Sequence, residues 1–170
     1  FMMVADLTLG KEKYADFQDV CKNAREKGMP IYEELVAGVD KDTEAFNLVA
    51  DAFKMPKDTP ELKAERSKAI QAGTLVSTEV PFRTMQLGYE GLQLAKTIVG
   101  KSNPNAASDL GVAILNLKAC VYGAWLNVKI NLPGVKDEAK AKHFAEEGKK
   151  MYDEAGAIAE EYFGKVEASL

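Results

Sequence analysis

Apolar residues recur at intervals of three and four along almost the whole chain, and no segment alternates strictly between apolar and polar residues as a strand would. The pattern predicts an all-α protein. Turn and capping residues divide the chain into helices over about residues 1–9, 14–27, 31–54, 59–99, 106–132 and 136–166. Gly28 and Pro30 separate the second helix from the third, and Pro81 should kink or split the fourth. The prediction is a single-domain bundle of six to seven helices spanning residues 1–170.

The helix predicted over residues 31–54 carries an apolar stripe with one acid inside it. The stripe consists of Leu35, Val36, Val39, Phe46, Val49, Ala50 and Phe53. At about 100° per residue, Asp42 falls within about 30° of the centre of the stripe, whereas Asp40 and Glu44 point away from it. A carboxylate on a buried apolar face must be paired, hydrogen-bonded or neutralised. Asp42 is therefore either one half of a structural ion pair or a functional group in a cleft.

The acids in "DKDTEAF", residues 40–46, also invite comparison with the first half of an EF-hand calcium loop. That loop needs glycine at its sixth position, an aliphatic residue at its eighth and glutamate at its twelfth. Here those positions hold Ala45, Asn47 and Asp51. The chain also has a single histidine, His143, which rules out a multi-histidine metal site within one chain. The residues therefore predict no metal site.

The helix predicted over residues 106–132 is apolar nearly all round, and we expect it to be buried. Its acid and amide side chains nevertheless share one face, within about 60° of arc. They are Asp109, Asn116, Asn127 and Asn131, and Cys120 and Gly123 lie on the same face. Amides both donate and accept hydrogen bonds, so the face would suit a flat heterocycle with mixed edges. The alternative is a polar seam that neighbouring helices or a dimer partner satisfy.

Composition narrows the possible functions. With 170 residues, 46% of them hydrophobic, and a net charge of −4, the chain fits one globular domain that binds neither nucleic acid nor an anionic membrane. Its longest apolar run, residues 111–132, contains five Asn and Lys residues, which argues against a membrane span. The two cysteines, Cys21 and Cys120, are expected to be reduced, which predicts a cytoplasmic protein. Lys11 could contact an anionic tail or simply face solvent.

Several motifs in order along the chain resemble the formiminotetrahydrofolate cyclodeaminase / methenyltetrahydrofolate cyclohydrolase family. They are "VADLTLGKEKY", "LVAGVDKDTEAFNLVADAFKMPKDTPE", "AIQAGTLVSTEVP", "SNPNAASDLGVA" and "GAWLNVKINL". The resemblance implies a helical subunit that forms a homodimer, with its active site in a cleft near the dimer interface. It also implies a folate substrate, with or without a polyglutamate tail, and neither metal nor cofactor.

The resemblance also implies roles for residues. Asp42, in the "D-x-E-A-F" segment, corresponds to the acid treated as catalytic in the family. Asp109, Asn127 and Asn131 become cleft residues, and the remaining candidates for substrate binding are Asn116, Asn105 and Lys11. The implied activity is cyclodeamination, hydrolysis of the methenyl ring, or both. Family members also carry a glycine-rich segment ahead of "VADLT", which is expected to be missing here. A non-enzymatic helical dimer of the same fold is the alternative.

Overall fold

The computed structural model describes residues 1–170 and contains five α-helices and no strands. The helices are α1 (Met2–Asp6), α2 (Gln18–Lys54), α3 (Pro60–Ala95), α4 (Ala107–Asn131) and α5 (Glu138–Glu167). Short 3₁₀ turns occupy Glu12–Phe17, Lys96–Ile98, Pro104–Ala106 and Leu132–Gly134. The prediction of an all-α protein is confirmed.

The predicted count of six to seven helices is wrong, because neither internal proline divides its helix. α2 continues through Gly28 and Pro30, and α3 continues through Pro81. A proline inside a helix removes one backbone donor and adds a local clash, but packed neighbours can hold the helix together. At the start of α3, Thr59 caps the helix by accepting a hydrogen bond from the Leu62 amide at 3.3 Å, and Pro60 is the first residue of the helix.

Helix α3 lies between α2 and α4, and α5 packs against α4 and α3. The core where α3, α4 and α5 meet contains fully buried residues from each of the three helices, including Met85, Leu92, Ile114, Val121 and Ala155. α2 reaches α3 mainly through small residues, among them Ala45 and Ala52, which are nearly inaccessible to solvent. Consequently α2, α3 and α4 form a layer, and α5 covers only its α3–α4 half.

The N-terminal segment closes one end of this layer through buried polar groups. The Thr8 hydroxyl donates to the Val4 carbonyl at 2.8 Å and accepts from the Asn103 amide at 2.9 Å. The Tyr14 hydroxyl donates to Asn103 Oδ1 at 2.8 Å, and Asn103 Nδ2 donates to the Leu7 carbonyl at 3.3 Å. These bonds tie the segment to the loop between α3 and α4.

The Phe1 ring packs into the space that two glycines leave open. A Cβ atom on Gly28 of α2 would lie 2.7 Å from Phe1 Cζ, and one on Gly91 of α3 would lie 3.8 Å from Phe1 Cε1. The beginning of α1 therefore lies between α2 and α3, close to the start of α4. Gly28 therefore lies inside α2 and makes room for this contact, and it does not end a helix.

By length and composition alone, the helical stretch Pro104–Gly134 is apolar enough to cross a membrane. The core helix of a soluble protein has the same properties, and α4 packs Leu110, Ile114 and Val128 completely into the interior. The other side of α4 is not covered. The prediction that α4 is a buried helix is therefore correct on the sides that face α3 and α5 and wrong on the remaining side.

Candidate active site

The three helices of the layer meet at one residue, Ser77 of α3. Its hydroxyl donates to the Ala45 carbonyl of α2 at 3.1 Å, and its carbonyl accepts from Asn131 Nδ2 of α4 at 2.7 Å. Two turns further along α3, the Thr84 carbonyl accepts from Cys120 Sγ at 3.9 Å, while a Cβ atom on Gly38 would lie 3.9 Å from Thr84 Oγ1. α3 therefore forms the floor of a groove whose walls are α2 and α4.

Asp42 lies on the wall that α2 contributes. The opposite flank of α2 carries Glu34, which pairs with Arg83 at 2.8 Å on the side of α3 turned away from α4. Lys41 lines a small cavity on that same side, together with Glu79 and Arg83. Asp42 is about 80–100° around the helix from Glu34 and Lys41. The apolar stripe that contains Asp42 therefore faces α4 across α3.

Most of the stripe around Asp42 is exposed, which contradicts the burial predicted for it, and only Leu35, Val49 and Ala50 are half-buried. Val39 is 68% exposed, Phe46 is 70% exposed, and Asp42 is also exposed. Asp42 makes no ion pair and no hydrogen bond within the chain, so the structural ion pair is not formed. The reason is that α2 packs on α3 through its small residues, which are rotated away from the stripe. Asp42 is thus a free carboxylate within an apolar groove wall.

The wall contributed by α4 carries amides and open space. Asn127 is exposed, and its Nδ2 donates to the Gly123 carbonyl of its own helix at 3.1 Å. No atom lies within 4 Å of the position that a Cβ on Gly123 would occupy. Large apolar residues extend this wall outwards, with Leu126 66% exposed and Ile130 77% exposed. The predicted polar face therefore exists, but it borders a groove rather than a buried seam.

Only some of the predicted site residues come together. α2 and α4 both run antiparallel to α3, and Ser77 places Asn131 level with Ala45, so Asp42 lies at the level of Asn127. At 1.5 Å per residue, Asn116 is about 16 Å from Asn127 along α4, and Asp109 is about 27 Å away. One pterin cannot contact both ends of that face.

Two further candidates lie still further from Asp42, at the end of the groove near α1. Asn105 is in the 3₁₀ turn before α4, where its backbone amide donates to Asn103 Oδ1 at 3.1 Å. Lys11 is exposed and precedes the 3₁₀ turn before α2, and the first residue of α2, Gln18, is about 36 Å from Asp42 along the helix. The structure therefore groups Asp42, Asn127 and Asn131, and leaves Asn116, Asp109, Asn105 and Lys11 apart from them.

The floor of the groove was not predicted from the sequence. Ser77 and Thr84 are seven residues apart, which puts them on the same face of α3. A signal was available, because Ser77 lies within the motif "AIQAGTLVSTEVP". The nearby thiol of Cys120 is half-buried, and burial raises its pKa above the usual range, which does not favour a nucleophilic role.

Two cavities lie outside the groove. One of about 550 Å³ lies between α2 and α3 and is lined by Pro30, Arg83 and Leu87 among others. Another of about 480 Å³ lies near Lys13, Asn103 and Lys165. No group of three His, Cys, Asp or Glu side chains is placed to hold a metal ion. Neither cavity contains Asp42 or the amides of α4, so the groove remains the candidate site.

Comparison with solved structures shows that this fold is known. The crystal structure of formiminotetrahydrofolate cyclodeaminase from Thermotoga maritima superposes with a TM-score of 0.77, covering 99% of this chain and 78% of that one. The two sequences are 24% identical, so the likeness concerns the fold.

Sequence comparison goes further. Methenyltetrahydrofolate cyclohydrolase from Methylorubrum extorquens is 35% identical over 168 residues, covering 99% of this chain and 81% of that protein. Formimidoyltransferase-cyclodeaminase from Gallus gallus is 35% identical over 137 residues, covering 80% of this chain but 25% of that longer protein. The family described as formiminotransferase-cyclodeaminase matches residues 1–150. The chain therefore belongs to the formiminotransferase-cyclodeaminase family.

Proposed function

We propose that this protein is a folate one-carbon enzyme that works on the carbon bridging N5 and N10 of tetrahydrofolate. Its reaction is cyclodeamination of 5-formiminotetrahydrofolate to 5,10-methenyltetrahydrofolate, hydrolysis of the methenyl ring to 10-formyltetrahydrofolate, or both. The relatives named for these two activities support the proposal. The observation that carries it is the free carboxylate of Asp42 at the level of Asn127, in a groove that is open beside Gly123.

In the deaminase reaction, N10 attacks the carbon of the protonated formimino group on N5, which gives a tetrahedral carbon that bears a neutral amino group. Asp42 accepts the proton from N10 and delivers it to that amino group. The C–N bond then breaks, ammonia leaves, and the N5–C–N10 unit becomes the methenyl cation. A single carboxylate can act as base and then as acid, and such proton transfer contributes about 10²–10⁴-fold to the rate.

In the hydrolase reaction, water attacks the methenyl carbon while Asp42 accepts one of its protons. The resulting carbinol loses its hydroxyl proton as the bond from carbon to N5 breaks, and N5 takes up a proton. The product carries the formyl group on N10. Both reactions therefore need the same proton carrier, whereas Asn127 would orient the pterin through its amide. Neither reaction includes a redox step, so we propose that no cofactor takes part. We also propose that the reaction takes place in the cytoplasm.

An absorbance assay on the purified chain tests the proposal, because the methenyl form is the strong chromophore. A deaminase makes absorbance rise with 5-formiminotetrahydrofolate, whereas a hydrolase makes it fall with 5,10-methenyltetrahydrofolate faster than in buffer. Asp40→Asn is the matched control for a change at Asp42, since Asp40 lies on the same helix but off the stripe. If neither substrate responds, the chain is the non-enzymatic helical protein of the same fold.

We also propose that a second copy of the chain covers the groove walls. Ten of the thirteen exposed large hydrophobic side chains lie on α2 and α4, and exposed apolar side chains that cluster in this way mark interaction surfaces. They include Val39, Phe46, Phe53, Leu126 and Ile130, each more than half exposed. A homodimer would exclude water from these residues and from the ring of a bound folate.

Sedimentation measures the dimer directly. Phe46→Asp should shift the protein towards monomer at micromolar concentration, because it puts a charge on the apolar wall. Leu48→Asp is the matched control, since Leu48 is also about half exposed on α2 but lines a cavity with Ala69 and Gly73 on another side. A wild-type chain that sediments as a stable monomer would contradict the dimer.

A further inference from the structure

The proline inside α3 leaves one backbone carbonyl without its helical partner. Pro81 has no N–H, so it cannot donate to the carbonyl of Ser77, four residues earlier. An unpaired carbonyl in a partly buried position is costly, and native structures rarely leave one. The partner must therefore come from outside the helix.

That partner is the side chain of Asn131. Its Nδ2 donates to the Ser77 carbonyl at 2.7 Å, which is a short and well-formed bond for an N–H donor. Only a donor can pair with a carbonyl, so the amide must turn its NH₂ group towards α3. Asn131 Oδ1 has no partner within the chain and stays free to accept a hydrogen bond.

Ser77 extends the connection to α2, because its hydroxyl donates to the Ala45 carbonyl at 3.1 Å. Asp42 precedes Ala45 by three residues on α2, and Asn127 precedes Asn131 by four residues on α4. Ser77 connects Ala45 and Asn131 across the groove floor. These two residues are therefore one helical turn from Asp42 and Asn127, which face each other across the groove.

We propose that Ser77, Pro81 and Asn131 form a clamp that sets the distance between Asp42 and the amides of α4. In this arrangement Pro81 and Asn131 are positioning residues, since Pro81 creates the free carbonyl and Asn131 occupies it. The catalytic consequence rests on the proposed function, whereas the clamp itself does not. A displacement of about 1 Å can cost 100-fold in rate, so a loose clamp would lower turnover.

A cycle of variants tests the clamp through stability. Asn131→Ala leaves the Ser77 carbonyl unpaired and should lower the urea midpoint of unfolding. Pro81→Ala returns a backbone N–H to that carbonyl, so Asn131→Ala should lower the midpoint much less in the Pro81→Ala background. Equal losses in the two backgrounds would overturn the clamp, whether or not the protein turns over folate.

The other helix-internal proline provides the matched control. Pro30 of α2 also removes a backbone donor, but its carbonyl partner would be Glu26, which has no contact with Asn131. Asn131→Ala should therefore lower the midpoint by the same amount in the Pro30→Ala background as in the wild type. Rescue by Pro30→Ala as well would mean that the effect is a general one of proline removal, which also overturns the clamp.

Turnover separates a positioning role from a direct contact with the substrate. Asn131→Asp keeps an acceptor oxygen but cannot donate to the Ser77 carbonyl. If Asn131 positions α4, Asn131→Asp should lower kcat about 10-fold or more, and Pro81→Ala should recover most of that loss. If Asn131 only accepts a hydrogen bond from the ligand, Asn131→Asp keeps near-normal kcat and Pro81→Ala changes nothing, which overturns the positioning role.

Discussion

The two sides of the α2–α3–α4 layer use glycine in opposite ways. On the side covered by α5, glycines allow close approach: a Cβ on Gly148 would lie 2.3 Å from Trp125 Cζ3, and one on Gly111 would lie 3.2 Å from Val166 Cγ1. On the groove side, a Cβ on Gly123 would contact nothing within 4 Å. The covered side is closely packed around these glycines, whereas the groove side retains space beside Gly123. Substitutions on the two sides should therefore separate stability from activity.

The largest effect is expected in the groove. Asp42→Asn should lower turnover by about 10²–10⁴-fold, because an amide cannot carry the proton. The unfolding midpoint should stay near that of the wild type, since Asp42 is exposed and unpaired. Steady-state kinetics with both folate substrates measures the loss, and Asp40→Asn is the control that should keep its activity. Near-normal turnover of Asp42→Asn would remove Asp42 from the mechanism.

The second-largest effect is expected on the side of the layer that α5 covers. Gly148→Ala should lower stability by about 1–3 kcal/mol, because its methyl group would overlap the indole of Trp125 and force α5 away from α4. Thermal unfolding measures the change. The kcat measured well below the unfolding temperature should be nearly unchanged. A melting temperature equal to that of the wild type would show that α5 and α4 are less tightly packed than the structure indicates.

A smaller effect with the opposite sign is expected at Gly123. Alanine is favoured over glycine inside a helix by up to about 1 kcal/mol, and the added methyl group meets no atom. Gly123→Ala should therefore stabilise the fold, while turnover falls several-fold because the methyl group projects into the groove. Gly164→Ala on α5 is the matched control, since its Cβ would also meet nothing and it lies outside the groove. Unchanged turnover in Gly123→Ala would mean that substrate does not approach this part of α4.

The smallest effect is expected on the flank of α2 that faces away from the groove. The Arg83 guanidinium donates to Glu34 and holds the pKa of that carboxyl below its usual value of 4.5. A carboxyl group whose pKa is lower in the folded than in the unfolded protein stabilises the fold at pH values above the unfolded-state pKa. This stabilisation is lost as the pH falls through the folded-state pKa. Because the Glu34 side chain is 37% exposed, Glu34→Gln should cost less than about 1 kcal/mol at pH 7. Urea unfolding should show this difference shrinking at acidic pH, and a constant difference would contradict the ion pair.

Periodicity was sufficient to identify which residues share a face. It placed Asp42 on the stripe of α2 and grouped Asn127 with Asn131 on α4, and the structure puts these three within one helical turn of each other along one groove. Periodicity does not indicate whether another element covers a face, so both faces were predicted to be buried although both are open. A helical projection also discards distance along the axis. For that reason Asp109 and Asn131 share an arc although they are about 33 Å apart.

Whether the two internal prolines break their helices could not be predicted from the neighbouring sequence either. Pro30 and Pro81 are strong signals for a break, and the sequence close to each offers nothing to offset the missing donor. For Pro81 the compensating group is Asn131, which is 50 residues later in the sequence and on a different helix. A helix that depends on a distant side chain in this way is recognisable only once the tertiary contacts are known.

The polar contacts around Asn103 have a consequence for the order of folding. Thr8 and Tyr14 reach Asn103 across 95 and 89 residues of sequence, so these bonds cannot form until α2 and α3 have brought the ends of that stretch together. The N-terminal segment should therefore settle after the helical layer has assembled, as contacts of large sequence separation generally form late. Pulsed hydrogen exchange would show this as late protection of the Asn103 amide relative to the amides of α3 and α4.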